Sequence, residues 1–207
     1  MKLFYSRGAC SLAPHIVLAE LNMVYEVEAV DLNKKSCVSG DFLKINAKGS
    51  IPVLRMENGE FLTEGQVISQ YLADQKPESN IYPKFGTTER YRCQEWMNFV
   101  ATEIHKGFSP LFGAERLFTT DAGKTECKTA YKGVLTQKLN YLSETMGEND
   151  FLMGKTFTIA DAYLFTCLSW SKHVGLDLNQ WKNITTYMER VGTRPAVIRA
   201  MKEEGML

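Results

Sequence analysis

Apolar and polar positions follow two rhythms along this chain, and the rhythm changes near residue 86. Before that point, short β-rich runs alternate with helical patterns. Lys2–Tyr5 reads as a strand, and Ser11–Leu21 as a helix with Leu12, Ile16 and Ala19 on one face. Tyr25–Val30 is a second β-rich run. Val53–Met56 and Phe61–Leu62 flank Glu57-Asn58-Gly59-Glu60, and the Asn-Gly pair there predicts a hairpin. Gln66–Ala73 then sets Val67, Ile68, Tyr71 and Leu72 at helical spacing. A βαβ start followed by a hairpin and a helix predicts a small α/β sandwich on a mixed sheet.

Lys76-Pro77-Glu78-Ser79-Asn80 and Tyr82-Pro83-Lys84-Phe85-Gly86 are dense in turn formers and read as a linker. Everything beyond is helical in pattern. Thr88–Lys106 is long, with Tyr91, Trp96, Phe99 and Val100 in its apolar positions, a stripe expected in the core or a domain interface. Ser109-Pro110 is expected to kink or end it. Further helices are predicted over Asp121–Met146, Ile159–His173, Leu178–Val191 and Pro195–Glu203. The fold class is α+β: an α/β domain over 1–77, a linker over 78–86 and an all-α domain over 87–207.

Charge narrows the function. Lys+Arg and Asp+Glu are equal at 24 each over 207 residues, and neither half is basic, which disfavours nucleic-acid binding. No apolar run is long enough for a signal peptide or a membrane span, so no membrane partner is expected. The five cysteines are scattered and never spaced C-x-x-C, and there are only three histidines. Neither a disulfide framework nor a metal site is expected, and the chain is expected in a reducing cytoplasm.

Cys10 is the leading candidate for chemistry. It lies at a strand-to-helix turn, where backbone N–H groups and the helix dipole favour an anion and lower a thiol pKa; the alternative is a small buried packing residue. Pro52 in Gly49-Ser50-Ile51-Pro52-Val53 is either a plain strand-entry proline or a cis proline that turns the Ile51 N–H and C=O toward an extended ligand. Thr63-Glu64-Gly65-Gln66 opens a helix. It reads equally as a carboxylate site whose Glu64 meets a ligand ammonium, and as Thr63 capping with Glu64 on the dipole. His105, at the end of the long helix, is placed to titrate near neutrality and donate to an anion, although a lone helical histidine is more often structural; His15 and His173 read as structural. Thr158 and Asp161 have capping-box spacing, worth on the order of 1 kcal/mol.

Taken together, Phe4-Tyr5-x-x-Gly8-Ala9-Cys10-Ser11, Ile51-Pro52, Thr63-Glu64-Gly65, Glu103-x-His105-Lys106-Gly107-Phe108 and Phe157-Thr158-Ile159-Ala160-Asp161-Ala162-Tyr163 resemble the glutathione S-transferases over essentially the whole chain, the bacterial beta class in particular. The resemblance implies a thioredoxin-like first domain, an all-α second domain and a homodimer. Carried over by motif, Cys10 faces the glutathione sulfur, Ile51 beside Pro52 pairs with the cysteinyl backbone, and Glu64 and Gly65 hold the γ-glutamyl end. Lys35 resembles the position that meets the glycyl carboxylate, with Lys34 a close competitor. Asn98 and His105 match helical-domain positions near the ligand, and Thr102 and Glu103 match positions that reach the neighbouring subunit's glutathione. Tyr5 and Ser11 stand in the region where other classes keep a catalytic hydroxyl, and rank below Cys10.

The reaction this implies is attack of the glutathione thiolate on a small hydrophobic electrophile, with glutathione as co-substrate and no cofactor. Cys10 and His105 are then the catalytic pair. The apolar pocket is expected around Ala9, Phe108, Leu111, Phe112 and Leu168. Two rivals stand beside it: a glutathione-dependent thiol-disulfide oxidoreductase working through Cys10 alone, and a non-catalytic ligand-binding module.

Overall fold

A computed structural model describes residues 1–207. The sheet is built from β1 (Lys2–Tyr5), β2 (Glu26–Asp31), β3 (Ser36–Cys37), β4 (Gly40–Asp41), β5 (Val53–Arg55) and β6 (Phe61–Thr63), in the spatial order β4-β3-β2-β1-β5-β6. β1 and β2 are parallel, joined by α1 (Leu12–Glu20), and the remaining pairs are antiparallel. The Asn58-Gly59 signal is a turn as expected: Gly59 takes φ +87° and the Met56 N–H donates to the Glu60 carbonyl at 2.8 Å, closing β5 onto β6. α2 (Gly65–Asp74) completes a thioredoxin-like α/β unit. The β3–β4 ribbon and the short helical turn Phe42–Lys44 carry no strong periodicity, and neither is predicted by the hydropathy pattern.

The rest is helical: α3 (Thr88–Phe99), α4 (Lys106–Leu117), α5 (Asp121–Met146), α6 (Ile159–Leu168), α7 (Ser171–Val174), α8 (Lys182–Gly192) and α9 (Pro195–Glu203). One hydrophobic core runs through both parts. α1 sits at its centre, and instead of one buried face it buries all eight residues Leu12–Ala19, because α2, α6 and α9 pack around it as well as the sheet.

Four helical expectations need correction. Leu178–Val191 is a single 3-10 turn over Leu178–Gln180 followed by α8, because the backbone is extended at Trp181 between them. The buried face of α3 is Cys93 and Met97, continued by Val100 and Ile104, whereas Tyr91 is 61% exposed and Trp96 and Phe99 are only half-buried, stacked edge-on and reaching Tyr141. Pro110 does not end the helix. The chain passes through a π-helical turn at Val100–His105, where the hydrogen-bond register widens, and continues as α4 with Pro110 inside it. Ile159–His173 is not one helix either, for it breaks after Leu168 and turns at Ser169-Trp170, which aims the Trp170 indole at the first loop.

Candidate functional site

The loop after β1 delivers Cys10. Gly8, at φ +66°, donates its N–H to the buried Glu204 carboxylate at 2.8 Å and accepts from the Trp170 indole, also at 2.8 Å. Ser11 ties the loop from within, its hydroxyl donating to the Ser6 carbonyl and accepting the Ser6 N–H. That internal task, and full burial, removes Ser11 as a catalytic hydroxyl; Tyr5 lines neither lobe of the cleft.

The cleft has two lobes, of about 850 Å³ and 540 Å³, and both are lined by Cys10, Ser50, Ile51 and His105. The Ile51–Pro52 bond is cis, which decides between the two readings of that proline. The Ile51 carbonyl accepts from the Cys10 thiol at 3.4 Å, while the Ile51 N–H makes no hydrogen bond within the chain. The smaller lobe adds Pro52, Thr63, Glu64, Gly65 and the first turn of α2. Thr63 does not cap that helix, since its hydroxyl accepts from Lys48 at 2.8 Å and Glu64 stands at the cap with φ +70° and no capping bond. The N–H groups of the first turn therefore face the lobe without side-chain partners.

Lys48 also pairs with one oxygen of Glu64, a partner that local sequence reading misses because fifteen residues and a strand separate Lys48 from Thr63. Lys35 lines the larger lobe with its ammonium on the Gly49 carbonyl at 2.8 Å. Lys34 is 80% exposed and leans toward Asp31, so the structure brings Lys35 to the cleft and leaves Lys34 outside.

The thiol does not behave as its place at the head of α1 predicts. Burial pushes the Cys10 pKa up to about 11, with Glu64 adding to the rise, and this outweighs the lowering by the N–H groups of Cys10 and Ser11 and by Lys106. Residue 10 is a protonated donor at neutral pH, set among donors that favour a negative sulfur. His105 lines both lobes as expected but does not titrate near neutrality: burial first, and Lys106 second, hold its pKa down at about 4, so the ring is neutral. Its Nδ1 lies 2.6 Å from the Tyr163 hydroxyl. That phenol has no other partner, so it donates to Nδ1 and the ring keeps its proton on Nε2. Tyr163 was legible only as part of the α6 start motif; its partnership with a residue 58 positions away was not.

Asn98, Thr102 and Glu103 line neither lobe. Asn98 and Thr102 are exposed, and Glu103 pairs with Lys138 at 2.7 Å. Of the expected apolar wall, Ala9, Phe108 and Phe112 are present, while Leu111 and Leu168 are buried behind it. Trp170 takes their place, 5.7 Å from Phe108 and 6.0 Å from Phe112 between ring centres. Asp161 is structural as expected, accepting the N–H and hydroxyl of Thr158 and the N–H of Leu152, each at 2.8 Å.

Comparison with known proteins identifies the family to which this fold belongs. Residues 1–74 match the family described as glutathione S-transferase, N-terminal domain, and residues 99–195 match glutathione S-transferase, C-terminal domain. The chain is 42% identical to glutathione S-transferase GstA of Escherichia coli O157:H7, each covered over 100% of its length. Among solved structures it is similar to the bacterial beta class enzyme of Sphingomonas chungbukensis, at 40% identity, TM-score 0.92 and full coverage of both chains. It is also similar to a sphingomonad glutathione S-transferase complexed with glutathione, at 38% identity and TM-score 0.91, again over 100% of both.

Proposed function

The chain belongs to the glutathione S-transferase family, in its bacterial beta class, and is a glutathione transferase; from that premise we propose how its cleft works. Glutathione lies across the two lobes with its sulfur beside Cys10. The free Ile51 N–H pairs with the cysteinyl segment next to Pro52. The γ-glutamyl carboxylate takes the first-turn N–H groups of α2 at Gly65, and the oxygen of Glu64 not engaged by Lys48 takes the ammonium. Lys35 meets the glycyl carboxylate. The molecule acts in the cytoplasm as a homodimer, with Thr102 and Glu103 facing the partner's cleft; Asn98, expected near the chain's own ligand, is exposed outside both lobes. Glutathione is a co-substrate and no cofactor is used.

In this reading the reaction is conjugation. The glutathione thiol loses its proton to solvent, its sulfur attacks an apolar electrophile along the Phe108–Trp170 wall, and a thioether forms as the leaving group departs. Cys10 donates its S–H to that thiolate, and the Nε2–H of His105 adds a second donor. What carries this is the placement of the Cys10 thiol, which donates to the Ile51 carbonyl at 3.4 Å in a site whose burial pushes its pKa up. At about 11, on the order of one molecule in ten thousand holds a Cys10 thiolate at pH 7, a poor starting point for the redox alternative. Cys10→Ala is expected to keep glutathione affinity within about threefold and to lower kcat/KM with an activated aryl chloride by about tenfold, the worth of one charge-assisted hydrogen bond. Reduction of mixed disulfides that disappears in this variant while conjugation persists unchanged would reverse the assignment.

A further inference from the structure

The larger lobe holds a charge pattern that the glutathione pose leaves unused, and the role assigned to it rests on that pose. Arg7 from the first loop, Arg116 from the last turn of α4 and Lys172 from α7 all line it, and no aspartate or glutamate does. None of the three enters an ion pair or a side-chain hydrogen bond. The neighbouring Glu115 is turned away and engaged by Lys124 and Lys128, at 3.2 Å and 2.8 Å. The pose already matches both glutathione carboxylates, one at α2 and one at Lys35. Three cations from separate elements thus line one lobe with no acidic residue in its lining, which gives the lobe a positive potential. The same lobe is lined by Phe108, Phe112 and Trp170 as well as Cys10, with the two phenyl rings stacked at 27°. Apolar contact of that kind discriminates weakly among electrophiles, whereas charge at the rim discriminates strongly.

We infer that the electrophile is a flat apolar molecule bearing a carboxylate or sulfonate, its ring along the aromatic wall and its acid group at Arg7, Arg116 and Lys172. The test pair is 4-chloro-3-nitrobenzoate and its methyl ester. In each case the glutathione sulfur forms a bond to the ring carbon, the carbon–chlorine bond breaks, and chloride leaves with the electron pair. After division by the uncatalysed rate, kcat/KM is expected to favour the carboxylate by about tenfold at low salt, an advantage shrinking toward twofold in about 0.5 M sodium chloride. Combining Arg7→Gln, Arg116→Gln and Lys172→Gln should abolish the preference, while Lys155→Gln, at a residue outside the cleft, should not.

Calorimetry with the two preformed conjugates reads the same preference without catalysis, and glutathione alone separates the two sources of acid. A tenfold rise in its Kd in the triple variant would show that the cations serve glutathione, and would overturn the inference. Equal rates for acid and ester, or tighter binding of the ester conjugate, would also overturn it. Turnover without preference defeats the inference and spares the conjugation reading. Preferential binding of the acid conjugate without turnover does the reverse.

Discussion

Two side chains at the centre of the cleft carry unexpected protonation states, and both follow from burial. A cysteine at the head of a helix is read from sequence as a thiolate because the dipole and free N–H groups are visible in the motif; the loss of solvent around the sulfur is not. His105 repeats the lesson. Its place near a helix end predicts an ordinary imidazole, but the packed ring stays neutral with a pKa of about 4. Linkage gives a consequence with a definite sign. The unfolded ring takes up a proton near pH 6.5 and the folded ring only near 4, so stability is complete above 6.5 and is lost as pH falls through that window, by up to about 3 kcal/mol. Denaturant titrations at pH 7 and pH 4.5 should show a smaller acid loss in His105→Gln than in the wild type, and ring NMR should place the midpoint near 4.

At the scale of elements, the strand-and-helix order of the first domain and the hairpin were legible, because alternation and Asn-Gly are local signals. The long helix was half legible. Its span could be read, but its buried face could not, since Tyr91, Trp96 and Phe99 carry larger apolar side chains than Cys93 while only Cys93, Met97, Val100 and Ile104 keep the spacing that faces the core. The π-helical turn has no sequence signature at all, and the helix resumes after it with Pro110 inside. The start of α6 was read correctly in kind and too weakly in size. Asp161 is fully buried and accepts three hydrogen bonds, one of them from Leu152 outside the capping motif. Asp161→Ala leaves those donors unpaired and is expected to cost about 3 kcal/mol rather than the 1 kcal/mol of an exposed cap. For a chain of this length that corresponds to a drop in Tm of roughly 6–12 °C by calorimetry.

Across the whole molecule, the last helix holds the first loop. Glu204 follows α9 and is buried, accepting from the Gly8 N–H at 2.8 Å and lying 2.9 Å from His15 Nδ1, while Glu203 lies 2.8 Å from the other ring nitrogen. His15 is thus structural, as read from sequence, but the reason lies 189 residues away from it and no local pattern announces it. A separation of 162 residues likewise hides the Trp170–Gly8 bond that seats the loop against the aromatic wall. Glu204→Gln keeps the shape and weakens a charge-assisted acceptor. It is expected to lower stability by about 2 kcal/mol and to raise the glutathione KM severalfold through a looser Gly8–Cys10 loop, checked by thermal melts and steady-state kinetics.

The two-lobed cleft, the neutral His105 and the tether from the C-terminal helix converge on one sulfur being negative and a different one staying protonated. Ultraviolet thiolate absorbance, titrated against pH for the free protein and for its glutathione complex, reads this directly. The difference between free wild type and free Cys10→Ala should show no Cys10 thiolate until well above pH 9, and the complex should gain one thiolate ionising below the usual thiol value of about 8.5, shifted up by about a unit in Cys10→Ala. A thiolate already present near pH 7 in the free protein and absent from Cys10→Ala would assign the negative charge to Cys10 and contradict the account.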